Sequence, residues 1–157
     1  RSIPVGYVES PNISLPVVES TFTKGLSFQG TSGWSNDWLT NWKNTSDKVS
    51  WKLDVKETGM YRVLIEYTLK KGSEGAIIKA SVKGKAVNKR MLDFYDPEII
   101  PSPDRVERGE VYEKKWARFE IGALELAAGI EELSIQHLFL HGAEGIDLKS
   151  VILERIN

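Results

Sequence analysis

From Lys48 to Val55 the chain reads KVSWKLDV, with Val49, Trp51, Leu53 and Val55 apolar and Lys48, Ser50, Lys52 and Asp54 polar. A period of two sends alternate side chains to opposite faces of an extended strand, so one face is predicted to meet a core. After the turn ETG, MYRVLIEYTL repeats the pattern, with Tyr61, Val63, Ile65 and Tyr67 on one side and Arg62, Leu64, Glu66 and Thr68 on the other. LSFQG, from Leu26, reads as a short strand ending in a turn, and AIIKASV with KAVNKRML reads as a hairpin about a Lys-Gly turn. In VYEKKWARFEIGALEL, Trp116, Arg118 and Glu120 oppose Ala117, Phe119 and Ile121. The alanines of ELAAG would suit a helical turn, but the flanking alternation and Gly122 and Gly129 predict strand, turn and strand. ELSIQHLFL and IDLKSVILERI close the chain as strands. Eight or nine short strands without a long amphipathic helix predict an all-β protein, an antiparallel β-sandwich.

Two segments lack this alternation. The first 24 residues hold three of the six prolines and read as an extended lead-in (1–24) to a sandwich occupying 25–157. The segment DFYDPEIIPSPDRVERGE, 93–110, holds the other three prolines and reads as a long surface loop. Loops of that length in compact domains usually carry function or dock on a neighbour.

A chain of 157 residues is long enough to bury a real core. Its 21 Lys and Arg against 22 Asp and Glu give a net charge of -1, which suggests no nucleic-acid partner. No apolar run approaches the ~20 residues of a membrane helix, so no membrane partner is expected. Cysteine is absent, which excludes disulfides, thiolate metal sites and a cysteine nucleophile from this chain. The start, RSIPVGY, has neither an initiator Met nor an apolar signal region and reads as the cut edge of a larger polypeptide.

Candidate chemistry concentrates in GWSNDWLTNW, which spaces Trp34, Trp38 and Trp42 evenly among small polar residues. Those intervening residues compete for backbone hydrogen bonds and favour turns over helix. Trp34, Asn36, Asp37 and Trp38 could form a sugar platform, an indole face stacking on a pyranose while short polar side chains orient its hydroxyls. The plainer alternative is that Trp34 and Trp38 cover the sandwich edge. Trp42 leads into the alternating strand and is expected in the core with Trp51.

In the loop, Asp104, Arg105 and Arg108 precede Tyr112. Their ordinary reading is exposed ion pairs; the functional one is a guanidinium fork holding an anion or clamping a partner domain. His137 and His141 lie four apart, a metal spacing on a helix but not on a strand, where a strand-end role is expected. Glu19 and Asp147 are distant in sequence, yet neighbouring first and last strands could join them as hard oxygen ligands for calcium. The ordinary alternative is two solvated carboxylates. No G-x-S-x-G, no Gly-rich phosphate loop and no framed carboxylate pair appears.

Read in order, TNW, SDKVSWKLDV, TGMYRVLIEYT, GAIIKASV, DRVERGEVYEKKW, IGALELAAGIEELSI and DLKSVILERI resemble the C-terminal accessory domain of bacterial arylsulfatases similar to N-acetylgalactosamine-6-sulfatase. The strand order and the late GIDL also resemble the galactose-binding-like jelly-roll of carbohydrate-binding modules. Glu19 and Asp147 fall near where such modules hold a structural calcium, the one cofactor the resemblance suggests for this chain. The resemblance implies a non-catalytic sandwich, periplasmic or secreted, whose partner is the sulfatase catalytic domain of the same polypeptide, with glycan contact as a further expectation. Such enzymes hydrolyse sulfate esters through a formylglycine made from a C/S-x-P-x-R motif beside a calcium. PSPDR, from Pro101 to Arg105, fails that motif because Asp104 stands where proline is needed, so no enzymatic activity is expected here. Formylglycine and the catalytic calcium would belong to a missing catalytic domain. Two other classes stand beside this reading: a free-standing carbohydrate-binding module and a purely structural sandwich.

Overall fold

The computed structural model describes residues 2–6, 11–30, 36–97, 100–101 and 112–156. In chain order the strands are β1 (Ile3–Val5), β2 (Asn12–Pro16), β3 (Thr21–Phe22), β4 (Ser27–Phe28), β5 (Leu39–Thr40), β6 (Lys48–Val55) and β7 (Gly59–Thr68). They continue as β8 (Ile77–Val82), β9 (Lys85–Arg90), β10 (Ile100–Pro101), β11 (Tyr112–Glu113), β12 (Ala117–Leu126), β13 (Gly129–Phe139) and β14 (Asp147–Arg155). The first sheet runs β1-β6-β13-β8-β9, with β3 also on β6, and the second runs β12-β7-β14-β5-β4, with β2 also on β14. All pairings are antiparallel except β1 on β6. The expected antiparallel-rich β-sandwich is what forms.

The period-two pattern explains the packing. Val49, Trp51, Leu53 and Val55 of β6 and Tyr61, Val63, Ile65 and Tyr67 of β7 are buried, facing each other across the two layers. Trp42 and Trp51 are 0% and 1% exposed, as expected of core residues, and Trp51 donates its indole N–H to the Pro16 carbonyl at 2.9 Å. That bond matters because a buried indole N–H without an acceptor is costly.

β12 departs from simple alternation. Glu120 pairs with Leu64 and Gly122 with Val63, so Ile121 is an extra residue in a bulge. The inserted residue shifts the parity, which turns Ile121, Leu124 and Leu126 all into the core. The turn expected at ELAAG is present: β12 ends at Leu126 and β13 starts at Gly129, whose φ of 111° suits glycine and few other residues.

The described residues among the first 24 enter both layers. β1 lies along β6, β2 along β14 and β3 along β6. Val5, Leu15 and Val17 belong to the core. The segment therefore completes the sandwich on both sides. Of the long loop, Tyr95 exchanges backbone hydrogen bonds with Leu69 at 2.8 and 2.9 Å, and β10 pairs with β11.

Candidate functional site

One end of the sandwich collects the end of β7 and the starts of β12 and β14, since Thr68 pairs with Asp147 and Tyr67 with Ala117. β5 adds Thr40 beside them, because Leu39 pairs with Leu148. Antiparallel register thus brings residues far apart in sequence to one rim.

At that rim Trp38 and the half-buried Trp116 meet edge to face, centroids 5.4 Å apart at 69°. The Lys114 ammonium lies 4.9 Å from the Trp38 ring and 4.8 Å from the Trp116 ring. It also pairs with Asp147 Oδ2 at 2.8 Å, while Asp147 Oδ1 accepts from the Thr40 hydroxyl at 2.9 Å. The Lys114 side chain is only 7% exposed, so its charge is spent inside the cluster. Two indole faces and a carboxylate around one ammonium fix all four groups in place, because each interaction constrains the others. Lys70, just past β7, pairs with Glu144 at 2.8 Å, and that hydrogen bond pushes the Lys70 ammonium above its usual range.

Asp37 is buried, and its Oδ1 accepts from the backbone N–H of Trp38 at 2.9 Å and of Gly30 at 3.1 Å. It shapes the loop that carries Trp38. Burial pulls the Lys149 ammonium below its usual range, against the opposing pull of Glu66 and Asp37. Asn36 is exposed in a turn, Trp38 is 8% exposed, and Trp34 lies outside the described residues. Of the four expected platform residues, then, Asp37 and Trp38 form a buried footing. Trp116 is the half-buried aromatic beside them, a role its sequence did not announce. Its placement directly before an alternating strand and beside Lys114 and Lys115 was the available signal.

Asp104, Arg105 and Arg108 lie outside the described residues, and of Tyr112 only the backbone in β11 is described. Glu19 ends a short 3-10 turn on the exterior, while both carboxylate oxygens of Asp147 are taken by Lys114 and Thr40. Among the described residues no three His, Cys, Asp or Glu side chains converge as metal ligands.

The two histidines part company. His137 is 1% exposed, edge to face with Trp42 at 5.0 Å, and its Nε2 accepts the Ile146 N–H at 3.2 Å. Burial pushes its imidazole down to about 4. His141 is exposed and its Nδ1 contacts the Glu74 carbonyl at 2.7 Å. A bulge between His137 and Phe139 separates the pair.

A concavity of about 520 Å³ lies on the outer face of the first sheet among Lys52, Ser81, Lys83, Ile130, Glu132 and Ser134. Ser134 shares a hydrogen bond of 2.8 Å with Ser50 there.

No family model matches the chain, and no curated protein matches it in sequence. Solved structures share the fold. The native family 35 carbohydrate binding module from Clostridium thermocellum matches with a TM-score of 0.60 at 8% identity, covering 92% of this chain and 98% of that one. The carbohydrate binding module CBM6cm-2 from Cellvibrio mixtus lichenase 5A, in complex with cellotriose, gives 0.57 at 11%, covering 92% and 98%. The mosquito-larvicidal Cry4Aa toxin from Bacillus thuringiensis gives 0.66 at 12%, covering 93% of this chain but 24% of its own. The chain thus spans the whole length of the modules and about a quarter of the toxin.

Proposed function

We propose that this sandwich is a carbohydrate-binding module whose site is the rim around Trp116. The observation that carries the reading is the half-buried Trp116, locked edge-on to Trp38 and held by Lys114, beside Thr40 and Asp147. A rigid indole loses little entropy when a sugar ring stacks on it, and nearby polar groups select the hydroxyl pattern. The fold supports this reading, since two of its structural neighbours are carbohydrate-binding modules over their full length. The concavity on the first sheet is lined by no aromatic side chain, which makes it the weaker platform.

The sequence resemblance supports a finer reading, in which the module sits beside a sulfatase catalytic domain in a periplasmic or secreted polypeptide and is itself non-catalytic. A C/S-x-P-x-R motif elsewhere in the same open reading frame would support that home.

Calorimetry against soluble glucans, mannans and galactans tests the binding reading. Trp116→Ala should weaken any bound glycan at least tenfold, about 1.4 kcal/mol or more, while the thermal transition persists. Unchanged affinity in that variant would remove the site from the rim.

A further inference from the structure

Charge along the chain is unevenly placed. Residues 70–90 carry seven Lys and Arg against the single acid Glu74, a local net charge of +6 in a chain whose total is -1. This segment is the loop after β7 plus the β8–β9 hairpin, with β9 the last strand of the first sheet. Lys70 is paired with Glu144 and Lys85 with Glu125. Among the described residues no ion pair joins a carboxylate to Lys79, Lys83, Lys89 or Arg90, while Lys71 acts on the nearby Glu74 through space. Edge-strand lysines do discourage sheet-to-sheet pairing, but that role needs no aromatic beside them.

An aromatic is nevertheless there. Phe139 and Arg90 flank Ile77 on its two sides in the register, which puts them in one row on the outer face. The Arg90 guanidinium carbon lies 5.7 Å from the Phe139 ring centroid, and the His141 imidazole stacks beside that ring at 6.4 Å and 24°. Both neighbours are anchored, Arg90 by the Gly75 carbonyl and His141 by the Glu74 carbonyl. Even so, Phe139 stays 44% exposed. Lys79 projects from the same face of β8, two residues beyond Ile77 and so about 7 Å along the strand.

We propose that this corner is a second binding surface, for an anionic polysaccharide. The Phe139 ring takes the apolar face of a sugar, and Arg90 and Lys79 take its carboxylate or sulfate. A guanidinium fork bonds either oxyanion in bidentate fashion, and the spacing to Lys79 suits successive charges along a chain. The inference rests on the carbohydrate-binding reading for its ligand class but uses a surface separate from Trp116.

The intact domain is titrated at low and at moderate salt with polygalacturonate, carrying carboxylates only, with dextran sulfate, carrying sulfates only, and with a neutral glycan bound at the rim. At least one polyanion should bind, more weakly as salt rises. Whichever one binds identifies the recognised group. Arg90→Gln, Lys79→Gln and Phe139→Ala should each weaken that binding threefold or more, and the Arg90/Lys79 pair tenfold. Trp116→Ala should leave it intact. Arg62→Gln, on the outer face of the other sheet, removes the same charge and should change it less than twofold. Failure of both polyanions to bind overturns the proposal, as does an Arg62→Gln effect equal to that of Arg90→Gln, or loss of binding in Trp116→Ala. Neutral-glycan binding that persists through those failures leaves the rim reading standing.

Discussion

Acid should destabilise this domain through one residue, His137. Its imidazole is buried against Trp42 and accepts a backbone hydrogen bond at Nε2, an arrangement that only the neutral form can make. Folded, burial pushes it down to about 4, whereas an unfolded histidine titrates near ~6.5. The unfolded chain therefore binds the proton first, so the contribution is fully present above that unfolded value and is lost as pH falls toward 4. The whole gap corresponds to about 3 kcal/mol, and moving from pH 7 to pH 5 removes about 2 kcal/mol of it. Urea denaturation of the wild type at the two pH values measures that loss directly. His137→Gln should start less stable but lose about 2 kcal/mol less over the same interval, because its amide does not titrate. Equal losses in wild type and variant, or His137 ring resonances titrating near ~6.5 in the folded protein, would refute the reasoning.

Trp42→Ala should cost about 3–5 kcal/mol in urea denaturation, since the indole is fully buried; a loss under about 1 kcal/mol would deny it a core role. Lys114→Ala leaves Asp147 without its cation in a nearly enclosed cluster, and should lower stability by about 3 kcal/mol. Lys114→Met keeps the stem packed between the indoles and should recover part of that loss; identical values for the two variants would show that packing is not involved.

The layer structure was legible because its central strands obey a strict period. In Lys48–Val55 and Gly59–Thr68 every apolar position of the alternating face is buried, while the opposite face is mostly more exposed, Ser50 and Thr68 being the buried exceptions. Trp51 was legible as core for the same reason, whereas the burial of Trp38 was not, since it lies outside any alternating strand. Residues Ile3–Val5 carry no such pattern, since β1 finds β6 in parallel across some fifty positions and its register is set by tertiary packing. The bulge at Ile121 likewise leaves no local mark, because either parity of IGALEL reads as a strand. At the rim, Asp37 is a residue type suited to binding a hydroxyl, yet it is buried and its Oδ1 accepts from two backbone N–H groups. Trp116 and Lys114 become a site only when Asp147 and Trp38 arrive from distant strands, a coincidence that no spacing encodes.

The most direct test of the rim as a glycan site follows the tryptophan side-chain N–H signals of the isotopically labelled domain during titration with neutral oligosaccharides. The Trp116 indole and the Thr40 amide should shift in proportion to saturation, while the Trp51 indole, bonded to Pro16 inside the core, stays still. Saturable binding that leaves Trp116 and Thr40 unmoved, or no binding by any oligosaccharide at millimolar concentration, would contradict the assignment.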